Sequence, residues 1–150
     1  MKHPHRWIVD PSPTASGGKV PALHVKAFDH LVLKVADVER SLGFYTTLLG
    51  LQPENVDEWR AGKAPFPSVR ITPDTIIDIV EGPRSDSNVD HFCLVVDPLD
   101  WAEVIATGHF TVLEGPVQRS GARGEATSIY VQDPDGNTIE LRWYPEDKGA

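Results

Sequence analysis

The stretch Val89–Val96, VDHFCLVV, repeats the pattern of Phe28–Val35, FDHLVLKV, sixty-one residues upstream. Both are apolar, β-branched runs of the kind that form buried strands, and both open on an Asp-His pair. A histidine that merely fills core space has no reason to recur in register. What lies at the far end of each repeat gives it meaning.

After Phe28–Val35 comes ADVERSLGFYTTLLGL (36–51). Val38, Leu42, Tyr45 and Leu49 fall at i, i+4, i+7 and i+11, one stripe of an amphipathic helix. Asp37 is suited to its N-cap and Gly50 to its stop. The polar, proline-broken stretch 52–67 predicts a loop with room for one short strand. SVRI (68–71) and TIIDIV (75–80) then read as strands around the turn TPD. The second unit follows the same plan. DHFCLVV is a strand, DPLDWAEVIATG (97–108) predicts a helix capped by Asp97 and stopped by Gly108, and FTVLEGPV (110–117) is a strand. RSGARGEA (119–126) is a Gly-rich loop. TSIYVQ (127–132) and NTIELRWY (137–144) are strands around the turn DPDGN. The expected fold is α+β: two tandem βαβββ modules, 27–82 and 89–145, forming curved mixed sheets around a metal-containing cavity. They make one domain, 27–147, behind a Pro- and Ser-rich arm, 1–26, expected to be flexible.

Each module also ends on a carboxylate. Aligning Thr75-Ile76 with Thr138-Ile139 sets Asp78 against Glu140, and His30 precedes Asp78 by 48 residues while His91 precedes Glu140 by 49. Residues two apart in a strand share a face. If Leu31, Leu33, Phe92, Leu94, Ile77, Ile79, Ile139 and Leu141 face the helices, then His30, His91, Asp78 and Glu140 all face the concave side. Two imidazoles and two carboxylates on one concavity form a ligand shell for one divalent ion, Zn, Ni, Co, Mn or Fe(II), with positions left open for substrate. On the same faces, Arg142 is a candidate partner for an anionic substrate, and Ser128 and Tyr130 are candidate donors to its oxygens. Arg119 and Arg123 flank glycines in a loop that can close over an anion. Cys93 reads as a pocket wall. His3, His5, His24 and His109 follow no such pattern.

A formal charge of −8 and pI near 5.1 exclude a nucleic-acid surface, which requires a basic face. No apolar run reaches the ~18–20 residues that span a bilayer, and a membrane partner is not expected. One cysteine, Cys93, rules out an intramolecular disulfide framework. A cytoplasmic protein is the expectation.

The opening DHLVLKVADVERSLGFYTTLLG and the ending SIYVQDPDGNTIEL resemble the vicinal oxygen chelate superfamily, which includes glyoxalase I, methylmalonyl-CoA epimerase, extradiol dioxygenases and the fosfomycin- and bleomycin-resistance proteins. The resemblance covers Phe28 to about Tyr144. It implies that His30, His91 and Glu140 are the metal triad, and places Asp78 where glyoxalase I carries a fourth ligand, normally glutamate. It implies a metal that binds two neighbouring oxygens of a small oxygenated substrate, with Glu140 as first candidate base and Asp78 as second, and a thiol co-substrate as one option. Lyase or isomerase chemistry of glyoxalase type leads; a non-haem Fe(II) dioxygenase and a resistance protein are the alternatives. It further implies a homodimer with sites built across the interface.

Overall fold

A computed structural model describes residues 20–83, 85–132 and 136–149. The predicted arm at 1–19, and residues 133–135 of the predicted DPDGN turn, lie outside the described residues. β1 already runs at Val25–Val35, so the last two residues assigned to the arm are strand. The first module continues with α1 (Val38–Leu42), β2 (Gln52–Glu54), α2 (Val56–Arg60), β3 (Ser68–Thr72) and β4 (Thr75–Glu81). The second holds β5 (Val89–Val96), α3 (Trp101–Ala106), β6 (Thr111–Arg119), β7 (Ala126–Gln132) and β8 (Thr138–Arg142). The βαβββ duplication is therefore present, with β2 as the extra strand in the first loop.

The first predicted helix is correct in place but divided. Asp37 caps it by accepting from the Arg40 amide at 3.0 Å, and a six-residue π-helical turn, Gly43–Leu48, then takes over. Thr46 bonds back to the Leu42 carbonyl there at 2.7 Å, a side-chain bond that competes with the regular helical ladder. Gly50 ends the segment at φ +73°, a conformation glycine adopts without strain. The predicted cap of the second helix is corrected from Asp97 to Asp100, which accepts from the Ala102 amide at 2.8 Å. Asp97 is instead tied into the sheet, its amide bonded to the His24 carbonyl, and the position before Pro98 disfavours helical geometry.

All eight strands form one open mixed sheet in the order β2-β3-β4-β1-β5-β8-β7-β6. β1–β4 and β5–β8 are parallel; β1–β5 is antiparallel. β1 and β5 would each be an exposed edge in an isolated module, and pairing them satisfies both rows of backbone groups. The modules of one chain thus complete each other. The expected curved sheets are one continuous sheet in this chain, and His30, Asp78, His91 and Glu140 come together from its two modules. Its helix-side face carries two cores. Val38 and Leu42 of α1 pack on Val69 and Ile79, and Trp101 and Val104 of α3 pack on Val96, Ile129, Val131 and Leu141. Among the described residues, no helix is long and apolar enough to cross a membrane.

Candidate metal centre

Face parity delivers four ligand-type side chains to the other side of the sheet. His30 on β1, Asp78 on β4, His91 on β5 and Glu140 on β8 line one cavity of about 390 Å³. His30 Nε2 lies 3.6 Å from Glu140 Oε2, and His91 Nε2 lies 3.8 Å from Glu140 Oε1. One ligand atom from each of His30, His91 and Glu140 falls within 4.8 Å of the others. Asp78 stands slightly apart, its Oδ2 4.0 Å from His30 Nε2. Two nitrogens and a carboxylate that already converge, beside an open cavity, fit a divalent ion with free positions.

The orientation of both imidazoles has a cause in the repeat. In the β1–β5 ladder Phe28 faces Leu94 and His30 faces Cys93, so Asp29 is an extra residue; Val32 faces His91 and Leu33 faces Val89, so Asp90 is another. A bulge turns neighbouring side chains toward a common side. Asp29 Oδ1 lies 2.6 Å from His30 Nδ1, and Asp90 Oδ2 lies 2.7 Å from His91 Nδ1. With both Nδ1 atoms engaged, both Nε2 atoms are left for a metal, the carboxylate–histidine arrangement that fixes ring and tautomer. The two aspartates were in the quoted Asp-His pairs, but their role is visible only once the bulges are seen.

The two inner carboxylates sit in opposed environments. Burial alone would push Glu140 up, but Arg142, His30 and Tyr130 more than offset it and hold its carboxyl below the usual range. The Arg142 guanidinium lies 3.0 Å from Glu140 Oε2, and the Tyr130 hydroxyl donates to Oε1. At Asp78 burial prevails and raises its pKa, against the Ser68 hydroxyl, which donates to Oδ1 at 2.5 Å, and the charges of the histidines.

The remaining predicted residues divide clearly. Tyr130 and Arg119 line the cavity. Arg142 is fully buried behind Glu140, where it also donates to the carbonyls of Arg119, Ser120 and Gly124. Ser128 is buried too, and its hydroxyl finds no hydrogen-bond partner among the described residues. Arg123 turns outward to Asp147 and stacks on Tyr144, its guanidinium carbon 4.4 Å from the ring centroid. None of these three reaches the cavity wall. Cys93 is fully buried, and burial pushes its thiol far up, which removes it as a nucleophile at neutral pH. Ser68 and the Pro65-Phe66 wall were not foreseen; cross-strand pairing of Ser68 with Asp78 brings in the first. A larger groove of about 630 Å³ beside α3 lies between Trp101 and Trp143 and has no histidine or cysteine in its wall.

The sequence from 27 to 141 matches the model of the Glyoxalase/Bleomycin resistance protein/Dioxygenase superfamily, and the chain belongs to that family. It is 30% identical over 125 residues to virulence protein STM3117 of Salmonella typhimurium, covering 80% of this chain and 85% of that protein. It is 33% identical over 124 residues to the lactoylglutathione lyase of the same organism, covering 75% of this chain and 88% of that protein. The methylmalonyl-CoA epimerase structure from Mycobacterium tuberculosis superposes with a TM-score of 0.55 at 17% identity, over 89% of this chain and 98% of that one, a likeness of fold.

Proposed function

We propose that the protein is a metal-dependent lyase or isomerase of glyoxalase type, in which His30, His91 and Glu140 hold one divalent ion and Asp78 is the proton-transferring base. The observation that carries this reading is the contrast between the two carboxylates flanking the histidines. Arg142 holds the Glu140 carboxyl below the usual range, which suits a ligand; Asp78, outside the tight triad and raised by burial, is the better suited of the two to take and return a proton. This reverses the order in which the sequence ranked the two as bases. A bound divalent ion supplies Lewis-acid stabilisation of charge developing on two neighbouring substrate oxygens. Ser68 fixes Asp78 Oδ1 and leaves Oδ2 toward the cavity. Similarity to lactoylglutathione lyases supports a thioester-forming isomerisation with a thiol co-substrate.

The test begins with metal analysis of protein purified without chelator, followed by the hemithioacetal of methylglyoxal and glutathione as substrate. Stoichiometric metal that disappears in His91→Ala is expected, with Asp78→Asn retaining metal but losing turnover by roughly 10²-fold or more. A wild-type protein that takes up no divalent ion would refute the reading. Two histidines and one carboxylate also describe an Fe(II) oxygenase set. Ring cleavage of catechol by the Fe(II)-loaded protein in air, without turnover of the hemithioacetal, transfers the assignment to that class.

A further inference from the structure

The cavity has unlike walls. From the first module come Val32, Val80, Pro65 and Phe66, an apolar surface; from the second come Tyr130, Ser120 and Arg119. Among the lining residues Arg119 is the one arginine or lysine, set against the carboxylates of Asp78, Asp90 and Glu140. We propose that Arg119 recognises a carboxylate on the substrate, which therefore carries one anionic group beyond its metal-binding oxygens, on a small apolar body seated against Val32, Val80 and Phe66. The inference rests on the metal-centre reading, which holds the oxygens at the floor.

The base of this arginine is fixed, and its tip is held by two exposed bonds, one of them donated by Nη1 to the Gln118 carbonyl at 2.9 Å. Arg142 donates to the carbonyls of Arg119 and Ser120 at 3.3 and 2.9 Å, so the guanidinium beside Glu140 also pins the backbone that presents Arg119. The Arg119 guanidinium carbon lies 5.9 Å from the centroid of Tyr130, whose hydroxyl touches Glu140. One aromatic ring thus separates the cation from the candidate metal ligands. Its tip is bonded to Glu114 Oε1 at 2.6 Å, with the two side chains 40% and 52% exposed. Such exposed pairs hold weakly, so Glu114 competes for the guanidinium only lightly against a ligand carboxylate in a half-enclosed site. A cavity of this size suits a substrate of modest bulk, and one guanidinium matches one negative charge.

Three hydroxamates test this on the Ni(II)-loaded protein: benzohydroxamate, its 4-carboxy derivative and the neutral 4-carbamoyl isostere. All three chelate through vicinal oxygens. Kd values by calorimetry should favour the carboxylate over the carbamoyl probe by about tenfold at low salt. The preference should shrink with added salt, fall to about twofold or less in Arg119→Met at unchanged metal content, and grow in Glu114→Gln. Hydroxamate binding without a carboxylate preference, or a preference that survives Arg119→Met, overturns this inference alone. Failure of all three probes to bind overturns the metal-centre reading and this inference with it.

Discussion

Replacing Asp29 by asparagine should weaken metal binding and the fold together, while the equivalent change at Asp90 should do little to the fold. Asp29 is fully buried, and its carboxylate accepts from His30 Nδ1 at 2.6 Å, from the Ala122 amide at 2.9 Å and from the Tyr144 hydroxyl. In Asp29→Asn one oxygen keeps its donors, but the new amide group faces the Tyr144 oxygen, which already accepts from the Arg123 amide and Arg142 Nη1. A buried polar group left badly matched costs about 1–3 kcal/mol. Loss of the anionic partner of a ligating imidazole lowers metal affinity roughly 10- to 100-fold. Asp90 is 46% exposed; water replaces its bond to His91, and its 3.8 Å pair with Lys34 is a surface one, so Asp90→Asn should change stability by no more than about 0.5 kcal/mol and affinity by less than Asp29→Asn does. Urea unfolding of the metal-free proteins and competition with a chromophoric chelator measure both quantities. Burial alone would raise Asp29, but the bonds from His30, Ala122 and Tyr144 hold it below its ordinary value of 3.8. Its contribution is thus present above that value and lost as pH falls through the folded pKa, so the two unfolding curves should converge on acidification. Equal losses of metal affinity at the two positions would refute the argument that burial makes Asp29 the stronger support.

Asp78→Asn should stabilise the metal-free protein at neutral pH by about 0.5–2 kcal/mol, because burial raises this group and its charged form is penalised in the fold; the gain should vanish as pH drops into the ordinary carboxylate range, where folded and unfolded states both hold the proton. Gly121→Ala places a Cβ 2.0 Å from Arg142 Nη1 and 2.7 Å from the Tyr144 hydroxyl, so it should cost about 1–3 kcal/mol and lower metal affinity, whereas Gly43→Ala, with nothing within 4 Å, should be neutral or mildly stabilising in thermal unfolding. If the β1–β5 pairing within one chain also holds in solution, mixing unfolded His30→Ala and Glu140→Ala chains and refolding them should restore no activity; recovered turnover would show that modules pair between chains.

The modules, the strand faces and the four inner ligand-type residues were legible in the sequence because they depend on alternation, which has a period of two and needs no tertiary knowledge. The helix around Gly43 and the cap at Asp100 were less so. There, a threonine bonding to a carbonyl and a strand-like hydrogen bond at Asp97 decide the local geometry, and both depend on neighbours. The union of β1 with β5 was not legible, since an edge strand carries no mark of which edge it will meet. The fates of Arg142 and Ser128 show the same limit: parity gives a face, while depth on that face depends on what folds over it, as the loop 120–124 does over Arg142.

Duplication gives each module the same apparatus, and one substitution divides the labour. Val32 pairs with Asp78 across β1 and β4, two residues beyond His30; Cys93 pairs with Glu140 across β5 and β8, two residues beyond His91. On the antiparallel side, Ser68 pairs with Asp78 and Tyr130 with Glu140, and each hydroxyl donates to its carboxylate. Up to this point the halves are equivalent. Two residues further on, the first module has Val80 and the second has Arg142. Only the second carboxylate therefore meets a buried guanidinium, which lowers its pKa against the desolvation that raises that of Asp78. The valine opposite leaves Asp78 without that support and adds an apolar wall to the cavity instead. Under the proposed roles, a ligand that must stay charged and a base that must take up a proton require opposite environments, and a symmetric pair of modules would not provide both. Arg142 breaks that symmetry from beneath the site, where no substrate needs to touch it.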